Sequence, residues 1–400
     1  MTLSPLSPLS ELVKVFLKLG IIGFGGPAAH IAMMEDEVVH RRQWLTQEQF
    51  LDLVGATNLI PGPNSTEMAI HVGYMYAGGL GLIVAGTCFV VPAVLMTAAL
   101  GWGYVQFGEL PQVSPLLYGI KPAVLAVIFT ALWRLGKKAV KSRELLMIAI
   151  ATGIAVWFGV NEVLALLLGG LLGAVWLNWR HQPTLSAWLF GLFLSQTPNS
   201  LSPVSPVTAE PVPLWKLGLF FLKVGSVLYG SGYVLIAFLQ GQLVDEFGWL
   251  TQQQLLDAVA MGQVTPGPLL TTATFIGYVI GGFPGAIVAT LGITLPSFLF
   301  VLILNPWIPR LRSSKWTAAF LDAINVSAVA LMAVVTVQLA VSTLGLNFIG
   351  MPLGTALLGI DWIAVVIAVI AAILALVWRI NAAWLVFGGA IAGWLVNHFL

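Results

Sequence analysis

Charge is scarce in this sequence. Lys and Arg number 17 and Asp and Glu 16, together 8% of 400 residues, against about 25% in an ordinary soluble domain. So few charges do not cover a water-facing surface, and 58% of the chain is hydrophobic. That composition excludes a soluble globular protein and leaves a polytopic membrane protein with the lipid bilayer as its surroundings. A membrane barrel would alternate in segments of about 10 residues. The long unbroken apolar runs here read as helices instead. A formal net charge of +1 gives no case for nucleic acid. A single cysteine, Cys88, excludes an intramolecular disulfide and most metal sites, so no metal and no cofactor are expected. The opening "MTLSPLSPLSELVK" has no basic region followed by a short apolar core, and no cleaved signal peptide is expected. G-x-x-x-x-G-K-[ST], H-E-x-x-H and G-x-S-x-G are all missing. A transport function would therefore run on an ion gradient rather than on ATP. What is abundant is tryptophan, 15 residues, which suits the two membrane interfaces.

A membrane span takes about 20 mostly apolar residues. The first half offers 12–34, 79–104, 115–136, 144–160 and 162–179; the second offers 214–240, 279–304, 316–338, 360–379 and 381–399. The stretches 46–77 and 251–277 are more polar, and each breaks at Pro-Gly-Pro. Six prolines between Pro183 and Pro213 mark 180–213 as a linker, expected on the cytoplasmic side. The domains are thus 1–179, 180–213 and 214–400.

The halves are repeats. A shift of 205 positions superposes Phe16-Leu17-Lys18 on Phe221-Leu222-Lys223 and Trp44-Leu45-Thr46-Gln47 on Trp249-Leu250-Thr251-Gln252. It also superposes Pro61-Gly62-Pro63 on Pro266-Gly267-Pro268. After a one-residue slip, Pro92 meets Pro296. Basic loops mark the cytoplasm. Loop 137–143 has four Lys and Arg and loop 105–114 none; loop 305–315 has three and 339–357 none. Corresponding loops therefore face opposite sides, and the repeats are inverted. The expected architecture is all-α, with about five spans and one re-entrant Pro-Gly-Pro hairpin in each half. The first hairpin enters beside Arg41 and Arg42, the second from the far side beside Asp245 and Glu246. On this plan the first span starts outside, which leaves Lys14 awkwardly at an outer end.

Broken helix inside a membrane is tolerated where it is buried or lines a cavity. The helix that starts after a break presents free amides and a partial positive charge to an anion. Asn64, Ser65 and Thr66 follow the first break, and Thr271 and Thr272 the second. The plain alternative is a tight turn, which recurrence at repeat-related positions disfavours. Lys18 and Lys223 lie inside apolar runs, where a lysine points to function, unless it snorkels to an interface. Together they are expected to form a cationic centre for a dianion. Gly25, Gly26 and Pro27 lie in "GFGGPAAH", a second candidate break or a close-packing motif. His30 and Glu67 are candidates to carry a proton, with a structural role as the alternative for each.

"FGGPAAHIAMMEDEVV", "WLTQEQFLDLVGATNLIPGPNSTEMAIHVGY" and "FLKVGSVLYGSGYVLIAFLQGQLVDEFGWLTQQQLLDAVAMGQVTPGPLLTTATFIGY" resemble the chromate ion transporter family (CHR), in a two-repeat form. The resemblance implies chromate efflux from the bacterial cytoplasm across the inner (plasma) membrane, driven by the proton-motive force. Sulfate is the structural analogue of the substrate. It places family motifs on Gly25-Gly26-Pro27 and on both Pro-Gly-Pro copies; in the second half the first motif departs to Gly230-Ser231-Gly232. Sulfate or another tetrahedral oxyanion is the competing substrate. A membrane enzyme that reduces chromate is a remote reading, since the sequence has little to hold a redox cofactor. A homodimer is left open.

Overall fold

The computed structural model describes residues 6–24, 26–178, 212–345 and 360–399. Among these, all regular structure is helical. The first half contains α1 (Leu6–Ile22), α2 (Pro27–Glu35, continued by a π-helical segment over Asp36–Arg41), α3 (Gln47–Thr57), α4 (Asn64–Phe107), α5 (Ser114–Ala139), α6 (Arg143–Trp157) and α7 (Glu162–Asn178). The second half contains α8 (Leu214–Val227), α9 (Leu235–Phe238, between a 3-10 turn and a π-helical segment), α10 (Gln252–Val264), α11 (Thr272–Leu304), the short α12 (Ile308–Ser313), α13 (Lys315–Thr343), α14 (Trp362–Leu376) and α15 (Ala382–Phe399).

The repeat has local causes. Thr46 and Gln49 form a reciprocal capping box at the start of α3, and Thr251 and Gln254 form the same box at α10. Each box satisfies two orphan amides, which accounts for the shared Thr of the Trp-Leu-Thr-Gln signature and for the Gln three residues after it in both halves. α4 reverses direction at Ala77 and Gly78 (φ 64°), and α11 at Gly281 and Gly282 (φ 60°), with matching dihedrals. Gly78 and Gly282 occupy the left-handed region, which glycine adopts without steric cost. The limbs then close face to face: Gly73 on Gly81 and Ala85, Gly277 on Gly285 and Ala289.

The Pro-Gly-Pro segments sit at hairpin tips. Trp44, before α3, stacks on Tyr76 at the end of the first limb of α4, with centroids 4.1 Å apart. The ends of this hairpin therefore lie together and its tip is Pro61-Gly62-Pro63. The span expected at 12–34 departs from expectation: it is two helices, broken at 23–26. Tyr76 also donates to Glu11 near the start of α1 (2.7 Å), and Lys18 reaches Glu37 beyond α2 (3.3 Å). So α1 and α2 form another hairpin whose ends share that side. Likewise the stretch expected as a span at 214–240 is broken after Val227. Gly23-Phe24 and Gly26 interrupt an otherwise continuous apolar run, which hydropathy alone reads through. As a result α1 begins at the end that carries loop 137–143, and the outer start expected for it is corrected; Lys14 then sits with the other basic residues.

The two basic loops do lie at one end: Lys141 in the first pairs with Asp322 (2.6 Å), two turns into α13, the helix that the second loop leads into. At the opposite end Tyr118 donates to Asp361 (2.7 Å). Glu162 there lies against Gly241 and beside Asp245 and Glu246. The repeats also interlock. The closing hairpin of each half packs on the long helix of the other: α14 and α15 on α5, and α6 and α7 on α13. Small residues allow the approach, with Gly119 against Gly389 and Gly393. Residues 180–211, most of the expected linker, lie outside the described residues; α7 ends at the basic end and α8 begins at the other.

Among the described residues, five helical stretches are long and apolar enough to cross a membrane, including Ser114–Ala139 and Lys315–Thr343, and two shorter apolar helices accompany them. Ile287, Leu291, Leu295 and Leu299, four apart on α11, are all exposed. A stripe of that kind faces lipid. The all-α, two-repeat membrane architecture expected from the sequence is thus borne out.

Candidate functional site

Four helix breaks meet at the centre of the molecule. The Gly62 N–H donates to the Leu228 carbonyl at 2.7 Å, and the Gly267 N–H to the Gly23 carbonyl at 2.7 Å. These two bonds are related by the 205-residue shift. Each ties a Pro-Gly-Pro tip of one half to the first break of the other. Both glycines have positive φ, 148° and 94°. A Cβ at Gly62 would strike Glu67 and Ser297, and one at Gly267 would strike Ala93.

A cavity of about 750 Å³ lies beside these tips, between the halves. Its floor includes Gly26 and Pro27 at the start of α2, Asn58 and Asn64 around the first Pro-Gly-Pro, Gly230-Ser231-Gly232, and Thr265 and Gly267. Asn64 Nδ2 donates to Asn58 Oδ1 (2.9 Å), and Tyr233 to Gln263 (3.2 Å). The walls climb α5 and α13 toward the basic end. They carry Arg134, Lys138, Lys141 and Arg379 against one carboxylate, Asp322. Lys141 is already paired with that acid, and Arg134 donates to the Ala375 carbonyl (2.8 Å). The uncompensated charge is therefore positive, and helix starts add partial positive charge below it. This arrangement suits a small anion that enters from the basic end.

Of the residues expected at the site, Gly26, Pro27, Asn64 and Gly267 line the cavity. Ser65, Thr66, Glu67, Thr271 and Thr272 are buried close behind the tips, and Pro61, Gly62, Pro63, Pro266 and Pro268 shape the breaks themselves. Gly25 lies outside the described residues. Thr271 donates to its own Pro268 carbonyl (3.2 Å). His30 is bonded to the Gly23 carbonyl (2.9 Å) and sits edge-on to Phe89.

The lysines are placed differently from expectation. Lys18 is half-exposed on the outside of α1 and pairs with Glu37; Lys223 donates to Gln242 at 2.8 Å. Glu37 and Gln242 are again 205 apart. The two lysines are symmetric, as expected, but each ties a helix to its returning limb, and neither lines the cavity. The cations that do line it include Arg134 and Arg379. Arg134, near the end of the span expected at 115–136, reads in sequence as a flanking charge. Only the packing of α14 and α15 against α5 turns it inward.

The sequence profile described as Chromate transporter matches residues 10–174 and 215–394, one stretch in each half. The chain belongs to the chromate transporter family. A chromate transport protein of Cupriavidus metallidurans is 34% identical over 331 residues, covering 82% of this chain and 81% of that protein. A probable chromate transport protein of Synechococcus elongatus is 33% identical, covering 81% and 82%. A chromate transport protein of Pseudomonas aeruginosa is 31% identical over 96% of this chain and 92% of its own. No solved structure matches. Each family-matched stretch contains one Pro-Gly-Pro tip and the break to which the other half's tip bonds.

Proposed function

We propose that this chain exports chromate from the cytoplasm across the bacterial inner membrane, driven by the proton-motive force. The dianion sits in the cavity between the repeats. Family membership supplies the substrate class. The observation that carries the reading is the cavity itself, with cationic walls that lead from the basic end to a floor of broken-helix starts. Basic loops favour the cytoplasmic side, so the opening faces the compartment to be cleared.

Loading from that side has further support. By the 204-residue shift of the later helices, Gln338 and Ser342 on α13 correspond to Arg134 and Lys138 on α5. The equivalent path toward the other end is therefore less cationic, which favours capture inside and release outside. Chromate and sulfate share shape and charge, so the floor does not separate them by geometry. Everted membrane vesicles with an imposed pH gradient test the proposal. Chromate should accumulate in proportion to the gradient, with sulfate as a weak competitor. Gradient-independent chromate uptake, or sulfate accumulation without chromate, would overturn it.

A further inference from the structure

A carboxyl and an imidazole lie behind the first Pro-Gly-Pro and have no counterpart behind the second. Glu67 and His71, one turn apart on α4, are fully buried. Among the described residues, neither Glu67 carboxylate oxygen has a hydrogen-bond partner, nor does either His71 ring nitrogen. The hydroxyl of Ser297, from the other half, is equally bare. Glu67 Oε1 and Ser297 Oγ crowd the same point, the missing Cβ of Gly62. Gly62 is the residue whose amide crosses to Leu228. In the other half Thr272 stands for Glu67 and Ile276 for His71, and Ala93, rather than a serine, faces Gly267. The pseudo-twofold is thus broken at three positions around one tip.

An isolated ionised carboxylate in such a place is very costly, and a carboxyl there holds a proton instead. Protonated, it has a hydrogen to donate, and Ser297 and His71 can accept. The groups facing it from neighbouring elements do not compensate a charge. Tyr229, next to Leu228, lies within electrostatic reach. His30 is committed to Gly23, Lys18 to Glu37, and Asp257 to Tyr104 at 2.9 Å. Asp257 is half-satisfied, one oxygen accepting from Tyr104 and Oδ1 bare, whereas both oxygens of Glu67 are bare. A sodium ion would need a cage of oxygens, whereas an imidazole with both nitrogens free suits a proton.

We propose that Glu67 is a proton-binding site, with His71 as its relay, and that the proton favours the state seen here, with the Gly62–Leu228 bond closed and the cavity open at the basic end. Loss of the proton leaves a carboxylate that needs water, which the closed tip excludes, so ionisation opens the tip. This deepens the export reading, because a proton taken up outside would return the empty carrier to the cytoplasm-open state. A ligand shifts such an equilibrium only by its preference for one state.

The test uses a cysteine reporter in place of the cavity-lining Ala131, with Cys88 replaced by Ala. A membrane-impermeant thiol reagent is added from the cytoplasmic side, without chromate. With Glu67 intact, labelling should fall by about tenfold from acidic to alkaline pH, a usual size for coupling between sites. Relative to that parent, Glu67→Gln should stay labelled throughout, which cancels the reagent's own pH dependence. Identical profiles in parent and Glu67→Gln would overturn the proposal. Should Glu67→Gln not accumulate, Glu67→Asp and His71→Gln are compared instead: a shifted midpoint in both supports the site, and an unshifted midpoint in both overturns it. No chromate enters the assay. A flat profile in a working exporter thus refutes this inference alone, and a titrating chain that moves no chromate refutes the substrate reading alone.

Discussion

Single residues divide here into those that hold the frame and those that face the cavity. Lys18 and Lys223 were conspicuous in sequence because lysine is costly in lipid. Their symmetry was legible, but their partners, Glu37 and Gln242, lie 19 positions on, and only the returning limb brings them together. Arg134 was hidden for the opposite reason: near a span end beside Lys137 and Lys138, it looks like an ordinary flank. Arg134→Gln should weaken chromate binding by roughly 1.5–3 kcal/mol, the usual size of a hydrogen bond to a charged group. That is about ten- to a hundredfold in affinity. Lys18→Gln and Lys223→Gln should leave uptake within about twofold, since a partly exposed ion pair such as Lys18–Glu37 contributes about 1 kcal/mol or less, and a single hydrogen bond such as Lys223 to Gln242 about the same. Vesicle uptake measured over a range of chromate concentrations separates the three. Loss in the lysine variants with a normal Arg134→Gln would reverse this assignment.

At the level of elements, the strongest punctuation was readable and the subtler was not. Pro-Gly-Pro removes amide donors and frees a dihedral, so 46–77 and 251–277 announced themselves as broken hairpins. The break at 23–26 lies among Phe, Ile and small residues, and hydropathy counts straight across it. Its purpose is visible only in the pair of bonds from Gly62 to Leu228 and Gly267 to Gly23. An alanine at Gly62 faces left-handed strain of about 1–2 kcal/mol and meets Glu67 and Ser297 as well. Gly267→Ala has the same strain but meets only the methyl of Ala93 among close neighbours. Thermal melting of the purified proteins should show both variants destabilised, Gly62→Ala the more. Equal stability to the parent would remove the tips from the account.

For the whole molecule, charge in the loops was the informative signal. It placed loops 137–143 and 305–315 at one end, and Lys141 and Asp322 meet there. Counting spans was less secure, because one unrecognised hairpin in each half changes which side a helix starts from. That is why the start of α1 was reversed while the loops were right. In a chain without Cys88, a cysteine at Ala139 should react only from inside, and one at Ser342, beside the repeat counterpart Thr343, only from outside. Same-side labelling would contradict the inverted plan. The interlocked packing of α5 with α14 and α15, and of α13 with α6 and α7, was not legible, since no periodicity says which half a helix will join.

The central claim is that the substrate sits on the cavity floor where the breaks meet. It is tested most directly by chromate protection of a cysteine at Ser231, in the absence of Cys88. The thiol should react with an impermeant reagent from the cytoplasmic side, and chromate should slow that reaction in a saturable way. The protection should disappear when Arg134 is also replaced by Gln. A thiol that reacts equally fast with and without chromate, in a protein that still transports it, would contradict the account.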